Sequence, residues 1–158
     1  MMSLPSRSAS LCIAAAMRAA SRRLTLLYDE VMAPCGLRLT QFGILAELER
    51  RASEPPTVSE LAEILVIERS ALGQTLRTLE KAGLVTLDRD RQDRRRRPVR
   101  LTKAGQKAVV RGRPYWKKAH TQFTQFFGNP AAFAELRSTL RDIAEDPALA
   151  ATFDTPRD

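Results

Sequence analysis

Apolar residues recur at steps of three and four along much of the chain, which is the spacing of one face of a helix. The first stripe predicts a long helix that ends at Pro34 and Gly36, since neither residue readily continues a helix. Its apolar positions are Ile13, Met17, Ala20, Leu24, Leu27 and Val31. A second helix is predicted to start at Thr40, which suits an N-cap, and to end at the loop 53–56. Its core-facing residues are Phe42, Ile44, Leu45 and Leu48.

Two shorter helices joined by a tight turn are predicted in the middle of the chain. Thr57 and Glu60 stand three residues apart before an apolar run, which is the pattern of a capping box, so they begin a third helix. Residues 67–69 form the turn, and a fourth helix extends over 70–82 until Gly83 ends it. The inward residues of the two helices are Val58, Leu61, Ala62 and Leu65, then Leu72, Leu76 and Leu79.

Two further helices are predicted towards the C-terminus. Thr102 is placed as the cap of a long fifth helix that bends near Gly112 and Pro114 and ends at residues 128–130. Its apolar stripe is Trp116, Ala119, Phe123 and either Phe126 or Phe127. A last helix carries the apolar residues Phe133, Leu136, Leu140 and Ile143.

The segment between two β-prone runs is rich in arginine. Residues 84–87 and 99–101 are predicted to pair as a hairpin with its tip at residues 88–97. Repulsion between the arginines disfavours folding of this tip without an anion, and a planar, weakly hydrated guanidinium suits the minor groove of DNA. A disordered basic loop is the alternative. The arginines are Arg89, Arg91, Arg94, Arg95, Arg96, Arg97 and Arg100.

The outer face of the fourth helix is polar and basic, opposite the core-facing Leu72. Arginine and glutamine can hydrogen-bond base edges, serine, threonine and lysine suit phosphates, and the helix N-terminus adds N–H donors. An ordinary solvated helix face has a similar composition. The predicted major-groove surface is Arg69, Ser70, Gln74, Arg77, Thr78 and Lys81.

The composition favours an anionic partner and offers no catalytic set. Lys and Arg number 26 against 18 Asp and Glu, a formal charge of +8. No nucleophile in the sequence can be assigned to act with the single histidine, His120. The sequence also contains no Gly-rich phosphate loop and no metal-ligand spacing. We therefore expect no enzyme activity, no cofactor and no metal. A winged-helix module that contacts protein or RNA is the serious alternative to a DNA-binding protein.

A cytoplasmic protein is expected from the N-terminal segment and the cysteines. Residues 11–17 are apolar, but their pattern continues at helical spacing, which argues against a secretory signal. No run approaches the roughly 18 apolar residues of a membrane span. Two cysteines, Cys12 and Cys35, are too few for a disulfide scaffold.

These elements predict a mainly α fold with a small β-hairpin wing, a winged helix-turn-helix with N- and C-terminal dimerisation helices. The predicted domains are an arm and dimerisation helix (1–36), a DNA-binding winged helix-turn-helix (37–102) and C-terminal dimerisation helices (103–158). The terminal helices have apolar stripes that the centre of the chain can hardly cover, which favours a homodimer over packing within one chain. The expected interface is Ile13, Met17, Ala20, Phe133, Leu136, Leu140 and Ile143.

Three strings of residues resemble the multiple-antibiotic-resistance regulator (MarR) family. They are Thr-Val-Ser-Glu-Leu-Ala at 57–62, Leu-Glu-Lys-Ala-Gly-Leu-Val at 79–85, and Asp93-Arg-Arg95 followed by Leu-Thr at 101–102. The resemblance extends over residues 11–145. It implies a dimeric repressor of double-stranded DNA, with recognition helices in major grooves and wings in minor grooves of a pseudo-palindromic site. It maps the minor-groove arginine onto Arg95 and the wing-orienting residue onto Asp93, although the neighbouring Arg94, Arg96 and Arg97 leave the choice of arginine open.

The resemblance also implies control by a phenolic or other small ligand, or by oxidation of a cysteine in the first helix. The expected position of that thiol is Ala14, so Cys12 lies on another helix face, and a structural thiol is the alternative. Cys35 would be a resolving partner only if the fold brought the two cysteines together. A candidate effector pocket, for which core packing is the stronger alternative, is Arg22, Tyr28, Tyr115, Trp116 and His120.

Overall fold

The computed structural model describes residues 12–87 and 98–152. This part of the chain is mostly helical with one antiparallel pair of strands, so the predicted fold class is confirmed. The elements are α1 (Ile13–Met32), α2 (Leu39–Arg50), α3 (Val58–Leu65), α4 (Arg69–Lys81), β1 (Val85–Leu87), β2 (Val99–Leu101), α5 (Lys103–Phe127), α6 (Pro130–Glu145) and α7 (Pro147–Thr152). No helix in these ranges is both long enough and apolar enough to cross a membrane.

The start of α2 differs from the prediction. Its N-cap is Arg38, and Thr40 lies inside the first turn, so the placement of Thr40 as the cap was wrong. The Arg38 N–H donates to the Gln41 side chain at 3.0 Å, and the Leu39 N–H donates to an Asp29 carboxylate oxygen at 2.7 Å. The start of α2 is therefore held partly by a residue of α1, a contact that local capping preferences do not include.

The helix-turn-helix forms largely as predicted. Thr57 and Glu60 make the expected capping box, with backbone-to-side-chain bonds of 2.7 and 3.3 Å. Helix α4 begins at Arg69, one residue before the prediction, because Glu68 caps it by accepting the Ala71 N–H at 3.0 Å. Val66 ends α3 in the left-handed region with φ of 51°.

A single apolar core lies beneath the helix-turn-helix. The three leucines predicted to face inward from α4 are at most 1% exposed. Helix α5 packs against α1 and α2, and Val109 of α5 is fully buried. The largest fully buried side chains are Met32, Ile44, Leu45, Leu61, Leu72, Leu76, Leu79, Val85, Val99 and Val109.

Helix α5 passes through Pro114 without ending. Its close approach to neighbouring elements depends on two glycines. A Cβ at Gly112 would lie 2.8 Å from the ring of Phe42, and one at Gly105 would overlap the carbonyl oxygen of Leu84. Glycine at these positions therefore allows α5 to pack directly on α2 and on the start of β1.

The last helices lie on the outside of the described chain. Helix α6 has no buried residue, and Phe126 near the end of α5 is 85% exposed. Phe127 is half-buried and packs edge-on against Phe123 and Phe133 at centroid distances of 5.5 and 5.7 Å. Of the two alternatives for the α5 stripe, Phe127 is therefore the one that faces inward.

Candidate nucleic-acid interface

The outer face of α4 is exposed to solvent, as the sequence predicts. Gln74 and Thr78 lie one turn apart on it, joined by a 3.2 Å hydrogen bond from the Thr78 hydroxyl to the Gln74 carbonyl. Arg77 lies about 60° around the helix from Gln74, on the flank away from Thr75. All six predicted major-groove residues are exposed: Arg69, Ser70, Gln74, Arg77, Thr78 and Lys81.

An acidic residue at the start of α4 was missed by the sequence analysis. The Glu68 carboxylate accepts hydrogen bonds from the Ser70 hydroxyl and from the Ala71 N–H, and these bonds lower the pKa of Glu68. The donors expected for a phosphate at this helix N-terminus are thus already engaged by a carboxylate. Glutamate is not among the residues that favour N-cap positions, so local preferences gave no signal for this cap.

The stem of the wing, formed by β1 and β2, is hydrogen-bonded to the residues before α3 and to the last turn of α4. Strands β1 and β2 pair antiparallel, with Val85 opposite Leu101, and β1 begins one residue later than predicted. The Val99 N–H donates to the Pro56 carbonyl at 2.8 Å, just before α3. Glu80 of α4 accepts the Leu87 N–H at 3.3 Å, where the described part of β1 ends. The described stem of the wing is therefore held by contacts with the loop before α3 and with α4.

The predicted wing residues lie outside the part of the chain that the structure describes. These are Asp93, Arg94, Arg95, Arg96 and Arg97, together with Arg89 and Arg91. Arg100 of β2 is described and exposed, opposite Thr86 of β1. The assignment of a minor-groove arginine stays a prediction.

A groove of about 420 Å³ lies between α1, the start of α2 and α4. Two residues of the predicted major-groove surface, Gln74 and Thr78, form one wall of it. Arg38 forms part of the opposite wall, although no sequence pattern marked this residue as functional. The lining residues are Thr25, Asp29, Arg38, Thr40, Gln41, Gln74, Thr75 and Thr78.

Three residues of the candidate effector pocket, Tyr28, His120 and Trp116, form a chain of contacts. The Trp116 and His120 rings stack at 5.0 Å and 6°, and the Tyr28 hydroxyl lies 3.3 Å from His120 Nδ1. Burial raises the pKa of Tyr28. Tyr115 packs on the core, whereas Arg22 is exposed. None of the five lines the groove beside α4, so the effector pocket stays a prediction.

The two cysteines are at opposite ends of α1. Cys12 is exposed at the N-cap, whereas Cys35 is buried and its thiol donates to the Met32 carbonyl at 2.9 Å. The intervening helix of 20 residues spans about 30 Å, and a disulfide needs Cα atoms within about 7 Å. The fold therefore does not bring the pair together, and Cys35 cannot resolve an oxidised Cys12 in the same chain. Within the described ranges, no three His, Cys, Asp or Glu residues form a metal-binding group.

An exposed recognition helix and an adjoining wing stem define this chain as a winged helix-turn-helix protein. Comparison with known proteins agrees, because the model of the MarR family matches residues 36–96. The chain is 28% identical to the Mycobacterium tuberculosis transcriptional regulator MosR, with a TM-score of 0.74 over 86% of this chain and 97% of MosR. It is 30% identical to MosR in complex with DNA, with a TM-score of 0.73 over 85% and 96% of the two chains.

A third structure is the transcriptional repressor CouR bound to a 23-mer DNA duplex, 25% identical with a TM-score of 0.76 over 91% of this chain and all of CouR. CouR comes from Rhodococcus jostii. No curated protein matches the sequence. The chain belongs to the MarR family of transcriptional regulators, which confirms the resemblance found in the sequence.

Proposed function

We propose that this regulator is a repressor that binds a pseudo-palindromic DNA operator as a homodimer. The observation that carries the proposal is the exposed face of α4, where Gln74, Arg77 and Lys81 point away from the buried leucines. Glutamine and arginine on such a face can hydrogen-bond base edges in the major groove. In the sequence the arginine-rich segment 88–97 connects the two strands of the wing stem, and the minor-groove contact is expected from Arg95 or from one of its neighbours Arg94, Arg96 and Arg97.

Exposed apolar residues on the terminal helices support the dimer. Ile13 is 71% exposed, Leu140 43% and Ile143 41%. Apolar surface of this kind is usually covered by a partner. In the proposed dimer, a second copy covers the apolar residues of α1 and α6 symmetrically. The two α4 helices then lie one DNA turn, about 34 Å, apart. The proposed interface comprises Ile13, Met17, Ala20, Phe133, Leu136, Leu140 and Ile143.

The relatives support duplex DNA as the partner. MosR has been solved in complex with DNA, and CouR is a repressor solved on a duplex. Because a DNA-binding regulator acts on the chromosome, we propose that this protein is cytoplasmic.

Footprinting on the promoter beside the protein's own gene tests the proposal. We expect a protected inverted repeat with half-sites about one helical turn apart. Arg77→Ala should relax preference at one position of each half-site by about 1 to 3 kcal/mol, whereas Arg50→Ala, at the far end of α2, should not. Absence of protection, or binding that does not respond to salt, would favour a module that contacts protein.

We also propose that a small aromatic acid releases the DNA by acting on the stacked Trp116 and His120 rings of α5 and on Tyr28 of α1, whose hydroxyl contacts His120. Trp116 is the only tryptophan of the chain and stacks on His120, so its fluorescence reports on this cluster. Benzoate should change the emission and lower DNA affinity together, and a change in only one of them would contradict the proposal. We also propose that oxidation of Cys12 releases the DNA. If peroxide released the DNA from Cys12→Ser as it does from wild type, this proposal would be contradicted.

A further inference from the structure

The groove beside α4 shares a wall with the proposed major-groove surface. Gln74 and Thr78 belong to both the groove wall and this surface of α4. Thr75 lies about 100° around the helix from Gln74, towards α1 and α2. The far wall carries Arg38 and Thr40 from the start of α2. The groove therefore follows the flank of α4 that lies opposite Arg77.

The dimensions of DNA place a phosphate strand along that flank. The major groove is about 12 Å wide, and a helix with its side chains is about 10 to 12 Å across. A recognition helix therefore fills the groove, and a sugar-phosphate strand runs along each of its sides. With α4 in place, one strand lies against the wall formed by Arg38 and Thr40.

The lining of the groove fits a phosphodiester strand better than a compact organic ligand. Sites for small organic molecules are concave and mostly apolar. Here every lining residue is polar or charged, and four of them are threonines. Hydroxyls and the guanidinium of an arginine such as Arg38 are usual partners of DNA phosphates.

The one carboxylate of the groove has a structural role. Asp29 accepts the Leu39 N–H at 2.7 Å, which fixes the start of α2 against α1. This bond places Arg38, the residue before Leu39, on the rim of the groove. The capping bond at Arg38 uses its backbone N–H, so its side chain is not needed to start the helix.

We propose that this groove holds the DNA backbone, with Arg38 as a phosphate contact that clamps the flank of α4 opposite Arg77. The inference rests on the proposed function, since it needs α4 in the major groove. It adds a contact outside both the recognition helix and the wing.

The test is the salt dependence of binding to a labelled, mixed-sequence duplex of about three helical turns, followed by fluorescence anisotropy between roughly 50 and 200 mM salt. For Arg38→Gln we expect the slope of log affinity against log salt to become shallower by about 0.9 for each lost phosphate contact, one in each subunit. Arg38→Lys keeps the charge and should restore the slope. Thr40→Ala should weaken binding with little change of slope.

Arg50→Gln is the matched control, because it removes the same charge from the other end of α2, about 18 Å away. A slope for Arg38→Gln equal to that of Arg50→Gln would overturn the inference. So would stabilisation by inorganic phosphate that depends on Arg38 without any change in DNA binding, since it would indicate a site for a small anion. If the wild-type protein itself bound duplex without salt dependence, the proposed function would fail instead. Thermal unfolding should show that Arg38→Gln remains folded.

Discussion

The Thr102 hydroxyl lies 2.7 Å from the carbonyl oxygen of Gly83 and donates to it, so the residue that caps α5 also contacts the end of the recognition helix. The same hydroxyl oxygen accepts the Gly105 N–H at 3.0 Å. The Thr102 side chain therefore connects the start of α5 and the base of the wing to the end of α4.

Thr102→Val removes this hydroxyl while keeping the shape of the side chain. It should lower the free energy of unfolding by about 1 to 2 kcal/mol, because α5 loses its cap and the Gly83 carbonyl loses a donor. Urea denaturation followed by circular dichroism measures the loss. Thr102→Ser keeps both bonds and should lie within about 0.5 kcal/mol of wild type, so equal losses in the two variants would contradict this role.

Gly105→Ala should destabilise the protein by about 1 to 3 kcal/mol, since the added Cβ overlaps the Leu84 backbone oxygen. Gly43→Ala is the control. Gly43 also lies in a helix but has open space at the Cβ position, so this change should stabilise by about 0.5 to 1 kcal/mol. Thermal unfolding of the two variants should show opposite shifts, and shifts of the same sign would show that the contact with Leu84 does not limit the packing of α5.

Val66→Gly should stabilise the helix-turn-helix. Val66 has φ of 51° and is 64% exposed, so the substitution relieves a left-handed backbone at a β-branched residue and uncovers little apolar surface. We expect a gain of about 1 kcal/mol, since the left-handed region costs roughly 1 to 2 kcal/mol for a residue with a Cβ. Val66→Ala keeps the Cβ and should gain less. Urea denaturation measures both, and a loss in the glycine variant would show that the Val66 side chain has a stabilising contact.

Glu68 should contribute a dependence of stability on pH at the acidic end. Its pKa is lowered from 4.5 in the folded protein by hydrogen bonds from Ser70 and the Ala71 N–H. A carboxyl group whose folded pKa is depressed stabilises the fold above its unfolded pKa, and this contribution is lost as the pH falls through the folded value. The difference in unfolding free energy between wild type and Glu68→Gln should therefore shrink below pH 4.5. A difference that stays constant between neutral and acidic pH would contradict the assignment.

The sequence by itself determined the order and type of the elements from α1 to α6, whereas α7 was not predicted. The apolar spacing of Leu72, Leu76 and Leu79 identified α4 and its buried face, and Thr57 with Glu60 identified the start of α3, because periodicity and capping are local properties. The polar surface of α4 follows from the same spacing. The excess of arginine at 88–97 was equally visible in composition.

Tertiary structure alone decided the contacts between residues that are distant in sequence. Asp29 bonds to Leu39 across two helices, and Thr102 bonds to Gly83 across the wing, so Arg38 reaches the groove beside α4 only when α1, α2 and α4 are packed together. Spacing along a chain gives the direction of a side chain on its own helix, whereas its neighbours on other helices depend on how those helices pack.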